Sequence, residues 1–424
     1  MILANAMIVD PERDLVAPGS LIIENGRIAD LAPPGLVLPD SKSIDCQGKY
    51  LAPGIVDIGV KVCEPGERHK ESYRSAGQAA AAGGVTTMVT RPDTIPAIDN
   101  PETLEFVAKR AQASSPVRIK TIAALTRGRA GREMTEIGLL LDAGAVAFSD
   151  CDSVIQDTKV FLRCLQYAKQ RGALVIAHPQ DPGLSSGAAA TSGKFASLKG
   201  IPAVPAQAEV IGLQRDIELA AMTGARYHAD QLSTSMSIEY FKRATASGIE
   251  ITAGASIHHL TLNEFDIGDY RTFFKVKPPL RSEGDRKALV EAVASGAVSI
   301  ISSMHTPQDE EAKRLPFEEA ASGAVALETL FPAALRLFHA GEISLPRLFR
   351  SLSLNPSKLL GFRTGRMSKG APADLILFDP DIPFVLDRFS LKSKSQNTPF
   401  DGQLLQGKIL RTFVEGEQVY DSSR

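Results

Sequence analysis

The chain has 424 residues, 44% of them apolar and 23% charged, with a formal net charge of −2. That length fits one large α/β domain with an appendage, and the near-neutral charge gives neither nucleic acid nor an anionic membrane a reason to bind. Four scattered cysteines without a CxxC pair (Cys46, Cys63, Cys151, Cys164) argue against a zinc ribbon or disulfide scaffold and for a reducing, cytoplasmic setting, and no apolar run nears the roughly 20 residues that span a bilayer.

The opening MILANAMIVDPERD lacks a basic n-region and a cleavage site, so it reads as a first strand. Two apolar stretches flank Asn25-Gly26, a two-residue hairpin signal. Residues 373–381 and 408–420 return to short strands broken by Gly, Asp and Pro. The two ends, 1–50 and 361–424, are therefore expected to pair as one small β-sandwich-like domain. Between them, residues 51–360 alternate short apolar strands with helical patterns. The strand candidates are 86–90, 119–125, 145–150, 173–179, 225–230, 250–256 and 298–304, with helices such as 101–112 and 286–296. The fold class is α/β, a (β/α)8 TIM-type barrel. A doubly wound open sheet is the alternative, but no GxGxxG follows the first strand. Polar residues gather just past the strand ends, at Asp150, His178, Asp230-Gln231, His258-His259 and His305. In a barrel that is the C-terminal face, where active sites sit.

Residues 51–72 read LAPGIVDIGVKVCEPGERHKES and resemble the DxHxHLREPG opening of the bacterial class I dihydroorotases, members of the amidohydrolase superfamily. GGVTTMVTRPDTIPAIDN, KVKPPLRSEGDRKALVEAVASGAVSIISSMHTPQ, NPSKLLGF and GAPADLILFDPD resemble further segments of that family in order. The resemblance implies the barrel and, in an active member, a zinc site. It also shows what has been replaced. Gly59 and Lys61 stand at the two histidines of HxH, and Cys63 stands at the arginine of LREPG. Asp93 and Lys277 replace substrate-binding asparagines. Cys151 follows Asp150 where a paired acid belongs, Gln231 replaces a ligand histidine, and Met304 replaces the proton-carrying aspartate. His178 survives.

Zinc needs about four donors, one position being left for water, and at the inherited positions only His178 and Asp150 remain. Without the metal, bound water keeps a pKa near about 15.7 instead of about 7. Without a base at position 304, a further roughly 10²–10⁴-fold is lost. Cys63 cannot clamp a carboxylate as arginine does. Lys61 is expected to supply positive charge to carboxylates such as Asp150 that a lost dication would leave uncompensated, or else to reach solvent.

Three functions follow. The first is a non-catalytic dihydroorotase homologue, without cofactor, that partners aspartate carbamoyltransferase and forms a homo-oligomer. The second is a rewired hydrolase of cyclic amides (dihydroorotate, a hydantoin or allantoin), with zinc on Asp150, His178, Asp230 and His305. The third is a metal-free module holding a small anion with Lys61, Arg91 and Lys277. Several features carry less. His228, His258 and His259 read as structural, His69 and His339 carry no signal, and a thiol nucleophile at Cys63 or Cys151 lacks a local signature. Residues 183–197 fail the phosphate-loop spacing and read as a flexible loop, and 309–314 as a mobile charged one.

Overall fold

The computed structural model describes residues 1–35 and 42–423. Its centre is a ring of eight parallel strands in chain order: Ile55–Val60, Val85–Thr90, Arg118–Ala123, Ala147–Phe148, Leu174–Ala177, Arg226–Ala229, Ile251–Ser256 and Ile300–Ser302. The ring closes between last and first. The main-chain N–H of Lys61 donates to His305 O at 2.9 Å, and Ser303 N donates to the buried Asp57 carboxylate at 2.8 Å. Alternation along the strands sends Val56, Ile58, Val89, Ile122, Leu174, Ile176 and Ile300 into one interior cluster, while the other faces pack against the helices.

The helices begin and end where local chemistry says they should. Pro101–Ser114 starts on Asn100, whose side chain accepts from Thr103 N. Glu283–Ser295 starts on Ser282 and stops at Gly296, which has φ +90° and so takes the left-handed turn that ends a helix.

The chain ends form one continuous eight-strand sheet that folds back over its own apolar core, with Ile28 N donating to Ala371 O and Ala373 N to Gly26 O. Its path runs Glu417–Asp421, Leu404–Val414, Leu375–Val385, Tyr50–Pro53, Ile2–Asp10, Leu15–Glu24, Arg27–Ala32, with Ser43–Asp45 also on Ile2–Asp10. Tyr50–Pro53 pairs here, so the chain enters the barrel only after Pro53, not at residue 51. Asn25 and Gly26 both have positive φ, the backbone of a type I′ hairpin turn. No helix among the described residues is long and apolar enough to cross a membrane.

Two segments expected to be loose loops have fixed structure. Residues 183–197 contribute to the short helices Pro182–Ser185 and Lys194–Lys199, and Ala190–Thr191 pairs with Ala203–Val204. Asp309 caps the helix Glu310–Arg314, and the buried Lys313 Nζ donates to Thr272 O (3.0 Å), Lys275 O (3.4 Å) and Ala321 O (2.7 Å). The charged composition of 309–314 concealed this one inward lysine.

Candidate functional site

The first strand carries its inward alternation only as far as Ile58. A register shift against the second strand falls between Ile58 and Val60, where Gly59 has φ +89°. Val60 accordingly packs outward, in the helix layer, and Lys61 is delivered to the barrel mouth. Its Nζ lies 3.2 Å from Asp93 Oδ2. Arg91 reaches the same oxygen at 3.0 Å and Asp152 Oδ1 at 3.5 Å. Arg129 reaches Asp152 Oδ1 at 3.1 Å and Lys277 reaches Asp152 Oδ2 at 3.4 Å. The mouth is thus crossed by a ladder of ion pairs.

The charges explain one another. Burial pushes the Asp93 carboxyl up, but Arg91 and Lys61 outweigh it and hold the group below its ordinary range. Asp152 is held well below that range: burial is outweighed by Arg91, Lys277 and Arg129. Burial opposes the Lys61 charge, but the charge and hydrogen bond of Asp93, with Cys63, together hold it above its ordinary range. Asp230 is pushed up to about 6 by burial, against Arg91 and the hydrogen bonds from Gln231.

Lys61 does supply charge, but to Asp93 rather than to Asp150. Asp150 is already occupied: Leu125 N and Thr126 N each donate to it at 2.9 Å, and Thr126 Oγ1 donates to its second oxygen. Met304 lies over Gly59. A Cβ added to Gly59 would come 2.7 Å from Met304 Sδ. Cys63 and Cys151 are buried thiols, each pushed up to about 12 chiefly by burial, so neither is a thiolate nucleophile. His178 is buried and its ring nitrogens have no hydrogen-bond partner; burial, then Lys277, lowers it to about 4. It lines a cavity of about 20 Å³ with Asp150, Cys151, Arg215 and Asp216, room for about one water molecule and far below the roughly 300–1,000 Å³ of a ligand pocket.

The remaining histidines make local contacts away from the ion-pair ladder. His228 Nδ1 bonds Thr252 Oγ1 at 2.8 Å, and His259 Nε2 bonds Pro278 O at 3.1 Å. His258 stacks on Phe400. His339 Nε2 meets Pro380 O, and the exposed His69 meets Asp309. His305 turns away from the mouth. Its Nδ1 accepts from Ala326 N at 3.1 Å, and its Nε2 lies 3.5 Å from the fully buried Glu71. The set Asp150, His178, Asp230 and His305 does not converge in this structure: His305 faces Glu71 and Asp150 accepts from Leu125 and Thr126. Among the described residues no three His, Cys, Asp or Glu side chains converge to hold a metal ion. The zinc implied by the dihydroorotase resemblance does not fit the donors present: Gly59, Lys61 and Gln231 stand at three inherited ligand positions, and of the two survivors Asp150 is taken up by Leu125 and Thr126, leaving His178. Arg129 and Asp152 belong to the ladder and were not singled out in the sequence; the one available signal was their place just past strand ends.

The family model described as Dihydro-orotase-like matches residues 48–237. A protein named dihydroorotase from Syntrophus aciditrophicus is 35% identical over 421 residues, covering 99% of both chains. The chain belongs to the dihydroorotase-like family. Another dihydroorotase, from Aquifex aeolicus, is 33% identical and covers 99% of each chain. This dihydroorotase-like chain also shares its fold with a solved L-hydantoinase from Arthrobacter aurescens, with TM-score 0.90 at 23% identity over 99% of this chain and 96% of that one. A solved D-hydantoinase gives 0.85 at 21% identity, over 100% and 95%. At those identities the two structures speak for the fold alone.

Proposed function

We propose that this dihydroorotase-like protein is a non-catalytic member of pyrimidine biosynthesis, a structural partner of aspartate carbamoyltransferase that itself forms a homo-oligomer in the cytoplasm. The observation that carries the reading is the filled mouth. Met304 sits against Gly59 and Lys61 is paired to Asp93, where hydrolysis needs a metal, a bound water and a proton acceptor. The barrel's outer surface and the terminal sheet keep their architecture, which is what assembly requires, and the four free buried thiols suit a reducing compartment.

The names of the relatives favour a second reading, an active hydrolase of a cyclic amide. Two measurements on the purified chain separate them: metal content, and dihydroorotase turnover in both directions. Stoichiometric zinc or manganese with turnover of dihydroorotate would sink the first reading. Co-expression with the carbamoyltransferase of the same organism, followed by size exclusion, tests the partnership. A shared peak supports it, and separate elution at micromolar concentration refutes it.

A further inference from the structure

A divalent ion at the mouth of such a barrel does two jobs, one chemical and one structural. It activates water, and it neutralises the carboxyl groups gathered around it. A chain that loses the ion and keeps the carboxyl groups is left with like charges in a poorly solvated place, and an unpaired buried charge is costly. Asp93 and Asp150 are buried here and Asp230 is half-buried, with Asp152 beside them.

Four cations end on two of these carboxylates, Asp93 and Asp152. Lys61 and Arg91 converge on one oxygen of Asp93. Arg91 then bridges to Asp152, where Arg129 and Lys277 also end. Arg129 further donates to the main-chain oxygen of Asp150, at 3.2 Å from Nε and 3.0 Å from its terminal nitrogen, and the charge of Arg91 works against the burial that raises Asp230. Three of the four cations are less than one-fifth exposed, Lys61 at 18%, Arg91 at 10% and Arg129 at 17%, so water cannot screen them as it does a surface pair. The two positions hold opposite chemistry. Lys61, where the resemblance places a metal-binding histidine, cannot donate a lone pair while charged, and Asp93, where it places a neutral asparagine, now provides the anion that fixes Lys61. One replacement makes the other necessary.

We infer that Lys61 and Asp93 are a coupled substitution whose ion pair, extended by Arg91, takes over the structural charge of the missing dication, so that this barrel holds its fold without any divalent ion. The same pairing leaves no mouth cation without a carboxylate, which also tells against the small-anion module of Lys61, Arg91 and Lys277. The inference does not depend on the proposed partnership or on the absence of turnover.

The test is equilibrium unfolding of the full-length chain in urea, before and after exhaustive dialysis against a chelator, and with zinc added back. The expected result is one unchanged midpoint. A midpoint that falls on chelation and recovers with zinc would overturn the inference. The second arm is the cycle Lys61→Met, Asp93→Asn and the double variant. Each single change is expected to raise the unfolding equilibrium constant roughly tenfold or more, the double variant to cost less than the sum, and Lys61→Arg to stay near the parent. Additive single effects would show that the pair is not coupled and would equally reject the inference. If a single variant does not fold while the double one does, that rescue is itself the coupling.

Discussion

The thioether of Met304 occupies the space into which any side chain at Gly59 would have to grow: an added Cβ meets Sδ at 2.7 Å and Cε at 3.2 Å, on a backbone with φ +89°. Two costs are superposed there, and substitutions separate them. The clashing atoms are the tip of a flexible side chain and can swing away; the backbone cannot. Gly59→Ala is expected to cost about 1–2 kcal/mol from left-handed strain, and nearly the same in a Met304→Ala background. Gly59→His is expected to cost about 2–4 kcal/mol in the parent through overpacking and strain, and clearly less beside Met304→Ala. Urea denaturation of the two single Gly59 variants, the two doubles and Met304→Ala reads both.

Arg281 and Glu209 form an enclosed ion pair, each 2% exposed, at 3.4 Å. Arg281 also donates to Ser233 Oγ at 2.9 Å and Thr191 Oγ1 at 3.1 Å, tying the segments after the fifth and sixth strands together. Arg281→Met strands Glu209 in the interior. The expected loss is about 3–5 kcal/mol, with earlier proteolytic cleavage near residues 183–204. A loss below about 1 kcal/mol would show that Ser233 and Thr234 alone satisfy Glu209.

Acid should act on the buried histidines. Burial lowers His178 and His259 to about 4, and His228 and His258 to about 3. Below pH 6.5 the unfolded chain takes up protons that the folded chain refuses, so their contribution to stability is lost as the pH falls. Asp57 and Asp230, raised by burial to about 6, act in the opposite sense: the folded state binds their protons first and gains stability between about pH 6 and 3.8. To isolate one histidine, His228→Gln should reduce the acid-side fall by about 1.4 kcal/mol per pH unit between pH 6 and 4.5. Denaturation at three pH values, parent against variant, measures that slope.

Lys313 gives a signal on the alkaline side. Burial, then Lys275, lowers it to about 7, below its ordinary 10.5. Protonated, it is a constant burden on the fold below pH 7. As the pH rises from 7 towards 10.5 the folded chain releases the proton first, so stability rises. Relative to Lys313→Met, the parent should gain about 1.4 kcal/mol per pH unit above pH 7. Equal slopes in parent and variant would mean that the three carbonyl bonds keep the ammonium charged.

Much of the architecture was legible because short apolar strands alternating with amphipathic helices leave few alternatives, and because Asn25-Gly26 dictates its own turn. The replaced residues were legible one at a time. Their partners were not. The charge left by a lost dication pointed Lys61 to Asp150, yet the backbone donors of Leu125 and Thr126 had already claimed that group. His305 looked like a mouth residue from its place after the last strand, but the positive φ of Met304 redirects the chain, and His305 lies against Glu71. Spacing along a chain does not reveal which way a residue turns after a left-handed step. Lys313 fails similarly, being one inward side chain in a segment whose composition is that of a surface.

The terminal sheet sets an order on synthesis. Tyr50–Pro53 has Ile2–Asp10 on one side and Leu375–Val385 on the other, so the amino-terminal half of that sheet leaves the ribosome long before its neighbour exists. Until the last strands emerge, Tyr50–Pro53 presents an open edge beside a growing barrel. A nascent chain of this kind is exposed to mispairing and chaperone capture for nearly its whole translation, and a message truncated late would release an otherwise complete barrel with that edge uncovered.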